Sequence, residues 1–192
     1  MAVLLTREER RLDEIFDLLL PRRKYYELKA EELPEAQLAL LSHQGMMTKM
    51  LERISDEEMA IEILERRESS GRYLRKVLLK TVSGQTVGYA IIYVLLKNHP
   101  PEARRLIREG VLPYGKVLER CGIEDQREIV KFFRVHSREV RFFSRMKSLL
   151  SFSAPIEPYG RDYYLRDVQG RILSRVIEIF NPYLFNPYLY YI

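Results

Sequence analysis

Apolar residues at Leu12, Ile15, Phe16 and Leu19 recur at the three- and four-residue spacing of one helical face. Thr6 and Glu9, three residues apart at the start of that run, make a capping-box pair, and Pro21 stops the helix. A second helical stretch starts near Pro34 and carries Leu38 and Leu41, and Gly45–Ile54 reads as a short helix or turn. The period then changes. Met59, Ile61 and Ile63 alternate, which predicts a strand within Asp56–Glu68 although its Glu and Arg content also suits a helix. Arg72–Val82 and Gln85–Leu96 are β-rich runs around Ser83-Gly84, a hairpin signature. The second run is apolar on both faces, Val87, Tyr89, Ile91 and Tyr93 on one and Ala90, Ile92 and Val94 on the other. It is therefore expected inside a sheet.

Pro101 opens a helix that closes at Gly110, and Pro113 opens another that closes near Gly122. Arg127–Val135 reads as a strand, and Asp162–Val168 with Arg171–Phe180 as a second hairpin turning at Gln169-Gly170. Helices first, then hairpins with two inserted helices, predict an α+β fold with one antiparallel sheet flanked by helices. The tail NPYLFNPYLYYI is read as an aromatic segment packed on the domain or on a second copy of the chain, a route to a homo-oligomer.

Composition narrows this picture. The 192 residues are 46% hydrophobic and 31% charged, enough apolar content for one domain spanning 1–192 to fold unaided. One cysteine, Cys121, leaves no internal disulfide framework and points to a reducing, cytoplasmic setting. No apolar run approaches the roughly 18 residues that span a membrane, so no membrane partner is expected. The net charge of +5 is interleaved with acidic residues, as in REERRLDE, which suits a salt-bridged surface rather than a nucleic-acid stripe. His43, His99 and His136 are far apart, no Cys/His cluster has metal spacing, and no glycine-rich phosphate loop or nucleophile elbow is present. A metal enzyme, a nucleotide-binding enzyme and a triad hydrolase are therefore not expected.

Four places stand out. Arg75 shares a strand face with Tyr73, Val77 and Leu79, so the more apolar face holds a guanidinium. A buried cation needs an anion, either a structural partner or a ligand carboxylate that the planar fork fits. Glu178 sits within Val176-Ile177-Glu178-Ile179-Phe180. Carboxyl groups in apolar surroundings hold protons more tightly, which suits a proton donor, but pairing with Arg75 or Arg175 would also explain it. Leu112-Pro113-Tyr114-Gly115 leads into a helix with free backbone amides, either an ordinary helix start or an anion site. Gly45-Met46-Met47-Thr48-Lys49 is a turn before a helix, its methionines able to fill core or line an apolar pocket.

In this order and spacing, four segments resemble the chorismate lyases over about residues 20–185. They are Met47-Thr48-Lys49, Tyr73 to Leu79, Leu112-Pro113-Tyr114-Gly115-Lys116-Val117-Leu118, and the closing strand with Glu178-Ile179-Phe180. The same fold is shared with the UTRA ligand-sensing domains of some bacterial transcription regulators. The resemblance implies a lyase that removes pyruvate from chorismate to leave 4-hydroxybenzoate without metal or organic cofactor. It matches the family's arginine to Arg75 and its glutamate to Glu178, with backbone donors near Met47, Tyr114 and Gly115. Arg161 is a further candidate anion contact. The alternative within the same fold is a non-catalytic domain that binds a small aromatic acid. Two departures bear on the site: Tyr114 replaces a smaller aliphatic residue, and the hairpin before Glu178 is one residue longer, which could turn Glu178 to the other face.

Overall fold

The computed structural model describes residues 6–136 and 157–180. The aromatic tail, residues 181–192, lies outside the described residues. Among the described residues, seven strands form one antiparallel sheet: β1 (Tyr25–Leu28), β2 (Met59–Ser69), β3 (Arg72–Thr81), β4 (Thr86–Leu95), β5 (Asp125–Val135), β6 (Tyr159–Asp167) and β7 (Ile172–Phe180). Their order is β1-β5-β6-β7-β4-β3-β2. Helices α1 (Arg7–Leu19), α2 (Glu35–Leu41), α3 (Met47–Ser55), α4 (Pro101–Glu109) and α5 (Tyr114–Arg120) flank it. The α+β class and both hairpins read from the sequence are present. Among the described residues, no helix is long and apolar enough to cross a membrane.

The two faces of the sheet carry different helices. α1 starts with the expected capping box, Thr6 and Glu9 bonding each other's backbone amides. It buries Leu12, Phe16 and the following Leu20 against Tyr89, Ile91, Ile177 and Ile179. Each such side chain contributes roughly 1.5–3 kcal/mol. On the opposite face α4 and α5 place Ala103, Leu106, Ile107, Val117 and Leu118 over Val77, Ala90, Ile92, Val94 and Val176. α2 and α3 cover the end of that face near Leu79, Val87 and Phe180. Every residue of β4 and β7 is buried, as two-sided packing requires of inner strands.

Two sequence expectations change. Val87 does not share a face with Tyr89. A register shift beside Leu79 pairs Leu79 with Gly88 but Lys80 with Thr86, and the extra residue turns Val87 towards α3. The four-residue β1, too short to show alternation, is an additional strand paired to β5 at the sheet edge. The other edge, β2, resolves the ambiguous segment as a strand. Its charged residues Glu62, Glu65, Arg66 and Arg67 suit an exposed edge.

Candidate functional site

The cross-strand register builds the floor of a cavity from two adjacent rows of side chains. One row is Arg75, Ile92, Val176 and Tyr163; the next is Val77, Ala90 and Glu178, with Arg161 continuing that row behind Glu178 and outside the lining. All these residues share the face beneath α3 and α5, so Arg75 on β3 and Glu178 on β7 open on the same space. The longer hairpin does not flip Glu178. The cavity holds about 40 Å³ of space for water-sized molecules and is open to solvent on one side. Met46, Met47 and Thr48 at the start of α3, and Pro113, Tyr114 and Gly115 at the start of α5, form its other wall.

Arg75 is completely buried. Nη1 donates to the Leu112 carbonyl at 3.3 Å, while Nε and Nη2 have no hydrogen-bond partner among the described residues. Desolvation lowers its pKa to about 10, only partly offset by the Tyr73 and Tyr114 hydroxyls. Even so, it is charged at neutral pH. A full positive charge buried on a cavity wall, with two donors unpartnered among the described residues, is costly without an anion beside it.

Glu178 has a different partner from either proposed in sequence. Nε and Nη2 of Arg161 both lie 2.9 Å from its Oε2. Arg175 faces the other side of the sheet. There its Nε and Nη2 fork onto Asp162 at 3.0 and 2.8 Å, and its Nη1 reaches Asp13 of α1. Alternation along β7 separates the two: residue 175 is an odd number of steps from residue 178. The apolar surroundings expected for Glu178 therefore contain a buried cation directly across the β6–β7 pair.

Arg161, expected as a direct ligand contact, is not among the cavity-lining side chains. It is fully buried behind Glu178, and its Nη1 donates to the carbonyls of Leu41 at 3.1 Å and His43 at 2.7 Å. It thereby ties the α2–α3 connection to the sheet. The connection feeds directly into the Met46-Met47-Thr48 wall. Met47 is buried with α3 against β4, and the first-turn amides of that helix have no intrahelical acceptors.

Tyr114 contributes its ring to the cavity and turns its hydroxyl to His99, 2.7 Å from Nε2. Nδ1 of His99 lies 3.0 Å from the Leu95 carbonyl. A carbonyl only accepts, so Nδ1 carries the proton and Nε2 accepts from Tyr114. His99 is thus a satisfied core histidine. Gly115 lies at the closest approach of α5 to α3: a Cβ there would sit 2.8 Å from Met46 Cγ. His136 packs edge-on against Tyr26 and does not line the cavity.

Two lining residues escaped sequence reasoning. Tyr163 lies beneath the Arg161 guanidinium carbon, 4.6 Å from ring centre, and its hydroxyl interacts with Glu178. Arg127 on β5 also lines the cavity. The available signal was the alternation Arg161, Tyr163, Leu165 along β6, which pairs Leu165 with Arg127, but it becomes visible only once β6 starts at Tyr159 rather than Asp162.

The fold is α+β: an antiparallel sheet flanked by helices, with a cavity on one face walled by a buried arginine and an ion-paired glutamate on inner strands. The family model described as chorismate pyruvate-lyase Rv2949c-like matches residues 34–188, and the chain belongs to that family. No curated protein matches the chain. The solved structure of PhnF from Mycobacterium smegmatis is similar at 12% identity and TM-score 0.50, covering 93% of this chain and 81% of that one. The effector domain of PhnF from the same organism aligns at 12% identity and TM-score 0.49, covering 72% of this chain and 89% of that one. The first of these likenesses is one of fold.

Proposed function

We propose that the chain, as one domain over residues 1–192, is a lyase that eliminates pyruvate from chorismate to give 4-hydroxybenzoate. The observation that carries this reading is the buried guanidinium of Arg75 with two free donors in the cavity of a chain belonging to a chorismate pyruvate-lyase-like family. In this reaction a ring C–H bond breaks and its electron pair completes the aromatic ring. The C–O bond to the enolpyruvyl group breaks in turn, and the departing enolpyruvate takes up a proton and becomes pyruvate. Atoms and electrons balance without an oxidant or reductant. Aromatisation supplies much of the driving force, so the protein's part is placement and polarisation.

Arg75 pairs with a substrate carboxylate, which meets the two donors that have no partner among the described residues. Glu178, held by Arg161, accepts a hydrogen bond from the ring hydroxyl, since an ion-paired carboxylate is an acceptor. Arg161 is a positioning residue acting through Glu178. Backbone amides near Met47, Tyr114 and Gly115 supply further donors. The apolar lining, Val77, Ala90, Ile92 and Val176, excludes water and strengthens each of these interactions.

The test is purified protein with chorismate, following 4-hydroxybenzoate by absorbance. A rate proportional to protein and well above spontaneous decay is expected; a rate no faster than that decay refutes the lyase. The second reading, a non-catalytic binder of small aromatic acids, draws on the fold likeness to PhnF. It predicts a raised melting temperature with 4-hydroxybenzoate and no turnover.

A further inference from the structure

We infer that the cavity takes a ligand with two anionic groups and that Arg127 receives the second, a specificity role that rests on this cavity being the ligand site proposed above. Arg127 is the second cation on the wall, and its side chain is only 6% exposed. Nη1 donates to the Gln44 carbonyl at 2.6 Å and lies 3.1 Å from Asp125 Oδ2. Nε has no hydrogen-bond partner among the described residues, and neither has Asp125 Oδ2. Asp125 and Arg127 are therefore in charge contact without an aligned hydrogen bond. A desolvated guanidinium in that state keeps a donor for an incoming oxygen.

The placement separates this group from Arg75. β3 and β5 are four strand steps apart in the sheet. At about 4.8 Å per step their axes stand roughly 19 Å apart. Both arginines line one cavity from opposite ends of that span, so a molecule with an acidic group at each end can meet each guanidinium with its own carboxylate. The proposed substrate has this character, and each product retains only one carboxylate.

The test compares two ligands on the full chain by titration calorimetry. One is 4-hydroxybenzoate. The other is 3-(carboxymethoxy)-4-hydroxybenzoate, which adds a second carboxylate through an ether and has no bond to eliminate. Arg127→Met should weaken the dicarboxylate by about tenfold or more beyond its effect on 4-hydroxybenzoate, the scale of one lost charge-assisted contact. Arg127→Lys should recover part of that difference by restoring charge. Equal losses for both ligands would mean that Arg127 only anchors Gln44, and would overturn the inference, as would no loss or no binding of the dicarboxylate to the unmodified protein. Chorismate turnover is scored separately: a chain that holds the dicarboxylate through Arg127 but makes no 4-hydroxybenzoate loses the lyase reading and keeps this one.

Discussion

Methionine in place of Arg75 keeps much of the side chain's length and apolar contact while removing its charge and donors. Arg75 is fully buried with no carboxylate partner among the described residues, and burial lowers its pKa to about 10. At about 1.36 kcal/mol per unit, the charged form is disfavoured by about 3 kcal/mol inside the folded chain. Arginine is protonated at neutral pH in both folded and unfolded states, so this cost falls on the folded state alone. The bond to the Leu112 carbonyl offsets about 1 kcal/mol and is lost with the substitution. Arg75→Met should therefore stabilise the protein by about 1–2 kcal/mol. In urea that moves the unfolding midpoint up by about 0.5–1 M at unchanged slope. The same variant should lose the melting-temperature rise produced by 4-hydroxybenzoate. A lower midpoint together with retained ligand response would refute the idea that Arg75 is a destabilising cation kept for an anion.

Other outcomes follow from the same geometry. Glu178→Gln leaves Arg161 buried without its anion, a loss of about 3–5 kcal/mol, which corresponds to a melting temperature lower by about 10 °C; adding Arg161→Met should recover much of it, and a change under 2 °C in the single variant would contradict the pairing. Gly160→Ala puts a Cβ 2.5 Å from the Phe133 ring and 2.6 Å from the Glu178 carbonyl, so the sheet must shift, at a cost of about 1–3 kcal/mol by denaturation. Burial depresses His99, with the Leu95 carbonyl opposing and Arg104 assisting. Unfolding then takes up a proton below the ordinary 6.5, so stability is complete above that pH and falls as pH drops through it towards the folded-state value. The urea midpoint should fall between pH 7.5 and 5, and His99→Gln should flatten that slope; an unaltered slope would exclude His99 as its source.

Local rules carried the elements with strong local signals. The Thr6–Glu9 box, Pro at the start of α4, Gly110 at its end and the turns at Ser83-Gly84 and Gln169-Gly170 act within a few residues, and each appears where the chain predicts it. β1 escaped because four residues show no period. Val87 was placed on the wrong face because strict alternation cannot anticipate a bulge, which depends on how two strands meet. The candidate site was legible in part for the same reason. Arg75 and Glu178 are anomalies on apolar faces, visible from alternation alone. Their partners are not, because Glu178 and Arg161 are brought opposite each other by pairing across a hairpin, and Arg127 joins the cavity from a strand two steps beyond β7.

The sequence by itself determined the class of fold, that the Gln85–Leu96 strand is buried on both faces, and that a cation and a carboxylate occupy apolar positions. These follow from side-chain period and burial cost, which are local quantities. Only the tertiary structure decided that Arg161 takes Glu178, that Arg175 belongs to the opposite face with Asp162 and Asp13, and that two donors of Arg75 are unpartnered among the described residues. Which charges meet is set by strand order and register, and so by contacts between residues far apart in the chain. The unpaired guanidinium that makes the cavity a candidate site comes from that long-range arrangement.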